Sequence, residues 1–463
     1  YEKVKTGIVG AGISGLATAQ ALLVRDPHAE IVVLEAAAQT GGKVMTEITP
    51  QGFLCEWGVN AFLDKSPRTL ELCREIGLTP VSADVAAKKR YVYSENQLHQ
   101  LPEKPAQFLT SKLLSIPGRL RVMGEVFTRK TDKSDETLAE FGTRHLGREA
   151  FEKLIDPMAS GVFAGDARTM SLKSCFPRIH EVESDFGSLI RGLIKLQKEA
   201  RRTGKKDTPG PGPGGLLTSF GGGMSVLTDA LTAGLGTRVR VNSPVRGISR
   251  SGGLYTLQLE DGSSEDFDSL VLAAPAHAQA AILRDLAPGI SDLLNGIPYP
   301  PLAVVCLGYS VEKAGHCLDG FGFLVPSREN RGILGTVVDS NVFPNRAPKG
   351  SVLFRAMVGG ARSPQLAELP DQQLLDRVLS DLSDIMGLNA DPDFVSIYRH
   401  DKAIPQYLVG HADKLAAIDR QLEAFPGLVL TGNAYRGVSL NDCVLNASRT
   451  AKTLSGRAGV TRT

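Results

Sequence analysis

The sequence predicts an α/β protein in which one parallel sheet is assembled from segments at both ends of the chain. An apolar run at Val4–Val9 leads into a Gly-rich turn and an apolar helix, and a second apolar run ends at Glu35. Near the other end, residues 428–433 again resemble a strand, and a helical pattern starts at Asn441. Strands that alternate with helices are typical of parallel sheets covered by helices. We therefore expect a discontinuous, Rossmann-like domain.

The stretch between these ends predicts further units. A chain of 463 residues corresponds to two or three domains at about 150 residues each. Residues 104–200 are mostly helical in pattern, and the Pro/Gly-rich residues 201–215 predict a mobile linker. Residues 238–268 alternate like a β-meander. A second sheet is predicted from the apolar runs Leu302–Tyr309, Phe321–Val325, Ile333–Val338 and Val352–Val358.

Composition excludes several classes of protein. The 52 basic and 50 acidic residues give a net charge of +2, so no global basic surface favours nucleic acid. The six cysteines include no C-x-x-C pair, and the eight histidines have no metal-ligand spacing, so we expect reduced thiols and no metal site. No run of 18 apolar residues predicts a membrane span. Charge is nevertheless segregated, because residues 88–206 carry 23 basic and 15 acidic side chains.

The Gly-rich turn predicts a dinucleotide site. In G-A-G-I-S-G, the first glycine allows the tight turn, the second lets a pyrophosphate approach the backbone, and the third lets the helix pack on the strand. Glu35 follows the last glycine by 20 residues, where its carboxylate can accept hydrogen bonds from ribose hydroxyls. The expected contacts with the nucleotide are Gly10, Gly12, Ile13, Ser14, Gly15 and Glu35.

Two further motifs distinguish FAD from NAD. Thr40-Gly41-Gly42-Lys43 resembles the double-glycine segment of the amine-oxidase-like FAD superfamily, with Lys43 where Arg is familiar. Thr431-Gly432-Asn433 resembles the C-terminal flavin motif of that superfamily, in which the start of a helix faces the flavin pyrimidine. Three separated elements therefore predict one noncovalently bound FAD, with Gly41, Gly42, Lys43, Gly432 and Asn433 against it.

Longer strings resemble the oxygen-dependent protoporphyrinogen oxidases over nearly the whole chain. These strings are GAGISGL, WGVNAFLD, GVFAGDARTMSLKSCFP, FGFLVPSRE, MVGGAR and GNAYRGVSLNDC. The resemblance implies a discontinuous FAD domain, a sheet-based substrate domain and a helical domain that docks on a membrane. The expected boundaries are 1–85, 215–285 and 415–463 for the first, 86–103 and 286–414 for the second, and 104–214 for the third.

The resemblance also implies the reaction. Protoporphyrinogen IX would lose six electrons in three hydride transfers to the flavin, and three O2 would become three H2O2. The protein would mainly orient an apolar macrocycle, so we assign no catalytic acid or base and no metal.

Several residues match family positions at the substrate and the flavin. Arg90 matches the Arg that holds a substrate propionate, and its planar fork suits a carboxylate; Lys88 or Lys89 could be the partner instead. Without the resemblance, these residues could equally be core or solvated side chains. The substrate contacts implied beside Arg90 are Gly161, Phe163, Leu324, Val337 and Met357, and the further flavin contacts are Trp57, Gly58, Asn60 and Val438.

Residues 88–206, whose net charge is +8, could contact the surface of an anionic membrane, although solvated helices also carry Lys and Arg. We expect a peripheral protein on the cytoplasmic face of a bacterial inner membrane, or alternatively the mitochondrial inner membrane, with a homodimer possible. The alternatives for activity are coproporphyrinogen III oxidation and another flavin amine oxidase or desaturase. A prenyl-protein binding module without flavin, similar to the GDP-dissociation inhibitors, is the non-enzyme alternative.

Overall fold

The computed structural model describes residues 4–102, 107, 111–202, 215–315 and 318–458. The linker predicted at 201–215 lies mostly outside these residues. Among the described helices, none is both long and apolar enough to cross a membrane.

Five parallel strands form the sheet predicted from the two ends of the chain. Their order is Val239–Arg240, Glu30–Leu34, Lys5–Val9, Ser269–Leu272 and Leu428–Leu430. The inner strands are mostly apolar because both faces of the sheet are covered.

The position of Val239–Arg240 corrects one prediction, since the meander was expected to begin at residue 238. The helix Ser225–Leu235 delivers the chain to the edge of the parallel sheet, where Val239 pairs with Val33. The antiparallel meander starts later, with strands Val245–Ser251, Leu254–Leu259 and Ser264–Phe267.

Each face of the parallel sheet has its own apolar core. One face is covered by the helices Ile13–Arg25, Pro67–Glu75, Ser225–Leu235 and Leu440–Ala458. The other face is covered by the meander and the helices Ala276–Leu283, Pro288–Asn295 and His411–Leu422.

Seven strands form the second sheet. Their order is Phe394–His400, Leu302–Ser310, Ser351–Gly359, Ile333–Val338, Gly322–Leu324, Arg90–Ser94 and Gln97–Gln100. Only the pair Gly322–Leu324 and Arg90–Ser94 is parallel among these neighbours. The helix Asp371–Met386 packs on one face. The opposite face turns toward the loops of the parallel sheet.

Short elements join the two sheets. The small strands are Thr46–Ile48 with Leu54–Glu56, and Phe62–Leu63 with Leu217–Ser219 and Val81–Ser82. Short helices are Val85–Lys88, Gly236–Arg238, Val311–Ala314, Ser327–Glu329, Asp339–Val342, Pro344–Arg346 and Pro364–Ala367.

Residues 116–202 form a helical unit, as their pattern predicts. Its helices are Ile116–Met123, Gly124–Phe127, Leu138–Leu146, Arg148–Ala150, Phe151–Ile155, Asp156–Phe163, Leu172–Cys175, Pro177–Phe186 and Leu189–Arg202. The end of Asp156–Phe163 reaches the second sheet, where Ala361 N–H donates to the Ala164 carbonyl at 2.8 Å. This contact brings the helical unit to the edge of the candidate site.

Candidate active site

The first Gly-rich turn has the backbone that its sequence predicts. Gly10 has φ +104°, which favours glycine, and its N–H donates to the Leu34 carbonyl at 2.8 Å. A methyl group at Gly15 would overlap the Gly10 carbonyl oxygen, so only glycine lets the helix lie this close to the turn. The helix Ile13–Arg25 begins after Gly12 without a side-chain cap. Its first N–H groups, including those of Ile13 and Ser14, are therefore placed to bind an anion.

The double glycine packs directly on this turn. Gly41 N–H donates to the Ala11 carbonyl at 2.9 Å, and a methyl group at Gly42 would lie 3.3 Å from the Gly12 Cα. Gly41 and Gly42 have φ +107° and +60°. Two separate glycine motifs therefore leave bare backbone side by side, as a closely bound pyrophosphate requires.

Glu35 lies at the mouth of the turn. Its Oε2 accepts from Ala11 N–H at 2.7 Å, and its Oε1 accepts from Ala37 N–H at 2.9 Å. Each carboxylate oxygen can accept a second hydrogen bond. Glu35 is therefore oriented by the backbone and still able to bind ribose hydroxyls.

The C-terminal motif closes the same crevice. Gly432 has φ +127° and lies beside the carbonyls of Ala273 and Ala274, which follow the strand next to Lys5–Val9. The Asn433 carbonyl accepts a hydrogen bond from the Tyr407 hydroxyl at 2.5 Å. Val438 packs against the core of the helical unit. Residues from both ends of the chain thus meet at the carboxyl edge of the parallel sheet, where α/β proteins bind nucleotides.

The segment that contains Trp57, Gly58 and Asn60 connects this crevice with the second sheet. Trp57 stacks on Tyr398 with ring centroids 5.0 Å apart, so its ring packs in the protein. The Gly58 carbonyl accepts from Arg355 Nη1 at 3.3 Å. Asn60 is half-buried two residues further on.

Lys43 also connects the double-glycine segment with residues that follow the second sheet. Its ammonium donates to the carbonyls of Lys402 and Ala403, and burial lowers the pKa of Lys43 to about 8. Its position next to Gly42 and its contact with Ala403 place a cation between the glycine motifs and the segment that follows the strand Phe394–His400.

Four predicted substrate residues lie on one face of the second sheet, opposite the helix Asp371–Met386. Across the strands, Gly322 pairs with Arg90 on one side and Val337 on the other. Two residues further along the strands, on the same face, Gly335 lies between Leu324 and Met357 of the neighbouring strands. Val337 and Met357 share one apolar cluster, which also includes Phe321. Gly322 and Gly335 pack tightly, since a methyl group on either would overlap a backbone carbonyl oxygen of the neighbouring strand. The larger apolar side chains around them suit a flat apolar ligand.

Arg90 stands at the edge of this face. Its guanidinium lies over the Phe321 ring, 5.2 Å from the centroid, and within the described chain it has no carboxylate partner. Lys89, by contrast, is ion-paired with Asp319. Loss of solvent around the guanidinium lowers the pKa of Arg90, whose side chain nevertheless remains a cation.

Gly161 and Phe163 approach from the helical unit in different ways. A methyl group at Gly161 would lie 2.7 Å from Leu324 Cδ2, so the two predicted residues are in contact. Phe163 is 3% exposed and packs on Phe176 and Tyr407. Its ring thus belongs to the core of the helical unit, and only its backbone is near the sheet.

Arg355 was missed by the sequence interpretation. It is buried, its Nε donates to Asp339 Oδ2 at 2.8 Å, and it reaches the Gly58 carbonyl from the same row as Val337. A charged residue within the apolar strand Ser351–Gly359 was the available signal, since buried arginines are rare unless paired.

A separate surface cleft of about 460 Å³ lies beside Leu302, Asp371 and Arg399. None of the predicted site residues lines it. The converging motifs therefore identify the site better than this cleft does.

Comparison with known proteins agrees with this arrangement. Residues 13–455 match the family described as flavin containing amine oxidoreductase. The rice chloroplastic protoporphyrinogen oxidase is 35% identical over 97% of this chain and 87% of its own length. The coproporphyrinogen III oxidase of Bacillus subtilis is 31% identical over 94% of this chain and 95% of its own.

A solved structure shows the same fold. The crystal structure of a protein from Exiguobacterium sp. 255-15, provisionally named a protoporphyrinogen oxidase, matches with a TM-score of 0.82 and 27% identity. The match covers 98% of this chain and 99% of that one. The uncapped helix start and the paired glycines fit a dinucleotide, and FAD is the cofactor. The chain is an oxidoreductase that belongs to the flavin containing amine oxidoreductase family.

Proposed function

We propose that this enzyme oxidises protoporphyrinogen IX to protoporphyrin IX, reducing three O2 to three H2O2. Relatives named protoporphyrinogen oxidase cover nearly the whole chain. The observation that carries the proposal is the apolar face with Leu324, Val337 and Met357, which has the unpaired Arg90 at its edge. An apolar macrocycle with carboxylates at its rim matches that face.

In this proposal, FAD, when bound, would supply the hydride acceptor for the oxidation. Gly10, Gly12, Gly15, Gly41 and Gly42 hold it through bare backbone. Arg90 binds a propionate through charge-assisted hydrogen bonds. The residues proposed to shape the apolar slot are Gly161, Leu324, Val337 and Met357, with Phe163 contributing its backbone only. Those proposed to complete the flavin site are Ile13, Ser14, Glu35, Lys43, Trp57, Gly58, Asn60, Gly432, Asn433 and Val438.

Coproporphyrinogen III is the second candidate substrate, because relatives named for its oxidation also cover most of the chain. It carries four propionates against two. The nearby cations Lys89, Arg355 and Arg362 are ion-paired with Asp319, Asp339 and Asp156. Because these three cations already bind carboxylates, few described cations besides Lys88 remain for extra propionates, which favours the two-propionate substrate.

Steady-state oxidation of the two porphyrinogens tests this choice. We expect a kcat/KM at least tenfold higher for protoporphyrinogen IX, since two unpaired propionates would be desolvated without partners. A higher kcat/KM for coproporphyrinogen III would overturn the substrate assignment and leave the flavin enzyme intact.

We also propose that the helical unit contacts an anionic bilayer, on the cytoplasmic face of a bacterial inner membrane. Ile116, Leu120 and Met123 are exposed and share one helix face, and Phe127, 87% exposed, follows at the same spacing. Exposed Lys112 and Arg129 flank this apolar face. Such a combination binds lipid surfaces without crossing them.

Sedimentation with vesicles containing anionic lipid tests the contact. The double variant Leu120→Ser/Phe127→Ser should lose most vesicle binding, because it removes two exposed apolar side chains. Val85→Ser is the matched control, since Val85 is 71% exposed elsewhere. Unchanged binding of the double variant would refute this docking face.

A further inference from the structure

A connecting segment at residues 402–411 lies between the strand Phe394–His400 and the helix His411–Leu422. It contacts the helical unit and the turn after Leu428–Leu430 at once. The carbonyl of Tyr407 accepts from Ser171 N–H at 2.8 Å, and Val409 N–H donates to the Thr169 carbonyl at 3.2 Å. The segment is therefore fixed along its length rather than free to adapt.

Gln406 holds the end of the helix that carries Gly161. Its side chain is 2% exposed, and its Nε2 donates to the Phe163 carbonyl at 2.9 Å and to the Ile404 carbonyl at 3.1 Å. The Phe163 carbonyl is among the last of the helix Asp156–Phe163 and has no partner within it. The Gln406 amide supplies that partner and so sets where this helix end meets Leu324.

Tyr407 holds the turn on the other side. It is 1% exposed, and its hydroxyl donates to the Asn433 carbonyl at 2.5 Å. Its ring stacks on His411 at 4.2 Å between centroids and touches Phe163 at 6.1 Å. This aromatic packing on two sides orients the ring so that its hydroxyl reaches the Asn433 carbonyl.

We propose that Gln406 and Tyr407 are positioning residues, with Gln406 setting the helix end at the substrate slot and Tyr407 setting the flavin turn at Gly432–Asn433. This inference rests on the proposed function of both regions. Adjacent side chains on one rigid segment keep the two regions in fixed relation. Both act through the backbone carbonyls that they bind, those of Phe163 and Asn433.

The two residues should have separable effects. Tyr407→Phe removes one hydrogen bond to the flavin turn and keeps the ring packing. Anaerobic flavin reduction should slow about fivefold to tenfold, the factor expected for one lost hydrogen bond, while KM stays within about twofold. The flavin midpoint potential, measured by chemical reduction without substrate, should fall because the turn no longer holds the last helix firmly toward the flavin.

Gln406→Met keeps the length and burial of the side chain but removes the amide. KM should rise about fivefold, because the hydrogen bond that holds the Phe163 carbonyl at the helix end is lost, and the midpoint potential should not change. Tyr309→Phe is the matched control: Tyr309 is fully buried in the second sheet, and its hydroxyl has no hydrogen-bond partner among the described residues. It should change neither quantity.

A wild-type midpoint potential and reduction rate in Tyr407→Phe would overturn the inference, as would a potential shift in Gln406→Met equal to that of Tyr407→Phe. If Tyr407→Phe fails to fold, 3-fluorotyrosine at position 407, whose hydroxyl is the stronger donor, should raise the potential, and no shift would count against the inference. Because chemical reduction needs no porphyrinogen, failure here is distinguishable from failure of the substrate assignment.

Discussion

We expect single residues to decide how well FAD binds, and the glycines illustrate this best. Gly12 has an extended backbone at φ −75°, ψ 179°, and a methyl group there would meet only the Gly42 Cα at 4.0 Å. The folded protein itself therefore tolerates a side chain at Gly12. A methyl group at Gly12 would instead occupy the space beside the backbone in which the pyrophosphate is proposed to lie.

Gly12→Ala should consequently fold normally but bind FAD about tenfold or more weakly, because a methyl group displaces the pyrophosphate from the backbone N–H groups. Reconstitution of the apoprotein with FAD measures the affinity, and thermal unfolding of the apoprotein checks the fold. Gly234→Ala, in the helix Ser225–Leu235 with nothing within 4 Å of its new methyl, is the control. Equal FAD affinity in both variants would contradict the proposed path of the pyrophosphate.

Arg90 is the residue-scale test of substrate binding. Arg90→Ala should raise KM about tenfold and leave kcat within about twofold, because the propionate contact is equally strong in the ground and transition states. Steady-state kinetics measure the two parameters separately. Lys88→Ala and Lys89→Ala address the two neighbours, and a KM effect confined to either would move the carboxylate site away from Arg90.

At the scale of elements, a buried polar network anchors the helical unit. Glu125 accepts from the Ser188 hydroxyl at 2.6 Å and from the N–H groups of Leu189 and Ile190, where the helix Leu189–Arg202 begins. His145 lies between Glu125 and Glu183, at 2.6 and 3.1 Å. Burial raises the pKa of each carboxyl, but these hydrogen bonds outweigh it and lower both pKa values to about 2.

This network makes the stability of the helical unit depend on pH. Carboxyls with lowered pKa values stabilise the fold above their ordinary value of 4.5, and the free energy of unfolding decreases as the pH falls from there toward about 2. Burial lowers the pKa of His145, but its hydrogen bonds to Glu125 and Glu183 raise it on balance, so its contribution is present below pH 6.5 and is lost at higher pH.

Glu125→Gln should therefore lower the free energy of unfolding by about 2 kcal/mol at neutral pH, since a buried charged acceptor is lost. In this variant, the free energy of unfolding should also decrease less as the pH falls. Denaturant unfolding at several pH values, followed by circular dichroism, measures both effects. Glu181→Gln, on the same helix as Glu183 but exposed, should change little. Identical pH profiles for Glu125→Gln and the unmodified protein would refute the anchoring role.

Elements differed in how well the sequence predicted them. The strand–turn–helix at Gly10–Gly15 was predictable because its constraints are local: the glycine spacing and the apolar runs lie within one stretch. Val239–Arg240 was assigned to the wrong sheet, because two residues carry no periodicity and tertiary pairing decides their partner. The bounds of the three predicted domains stay a prediction, as does a homodimer.

In the whole molecule, side-chain hydrogen bonds that no sequence motif predicted connect the crevice at the glycine motifs with the apolar face. Arg355 links the second sheet to Gly58, and Lys43 links the glycine motifs to Ala403. The rows in which Gly322 and Gly335 separate larger residues depend on strand register, which is fixed only when the sheet forms. The resemblance identified Arg90, Leu324, Val337 and Met357 as candidates. The strand register explains why they lie on one face of the sheet.

One FAD and one tetrapyrrole slot are proposed to be neighbours in this chain. Anaerobic mixing of the purified holoenzyme with protoporphyrinogen IX tests this proposal most directly, with the absorbance of oxidised flavin as the signal. Complete bleaching of one FAD per chain, reversed by O2, is the expected result. A flavin that no porphyrinogen bleaches but a simple amine does would contradict the proposal.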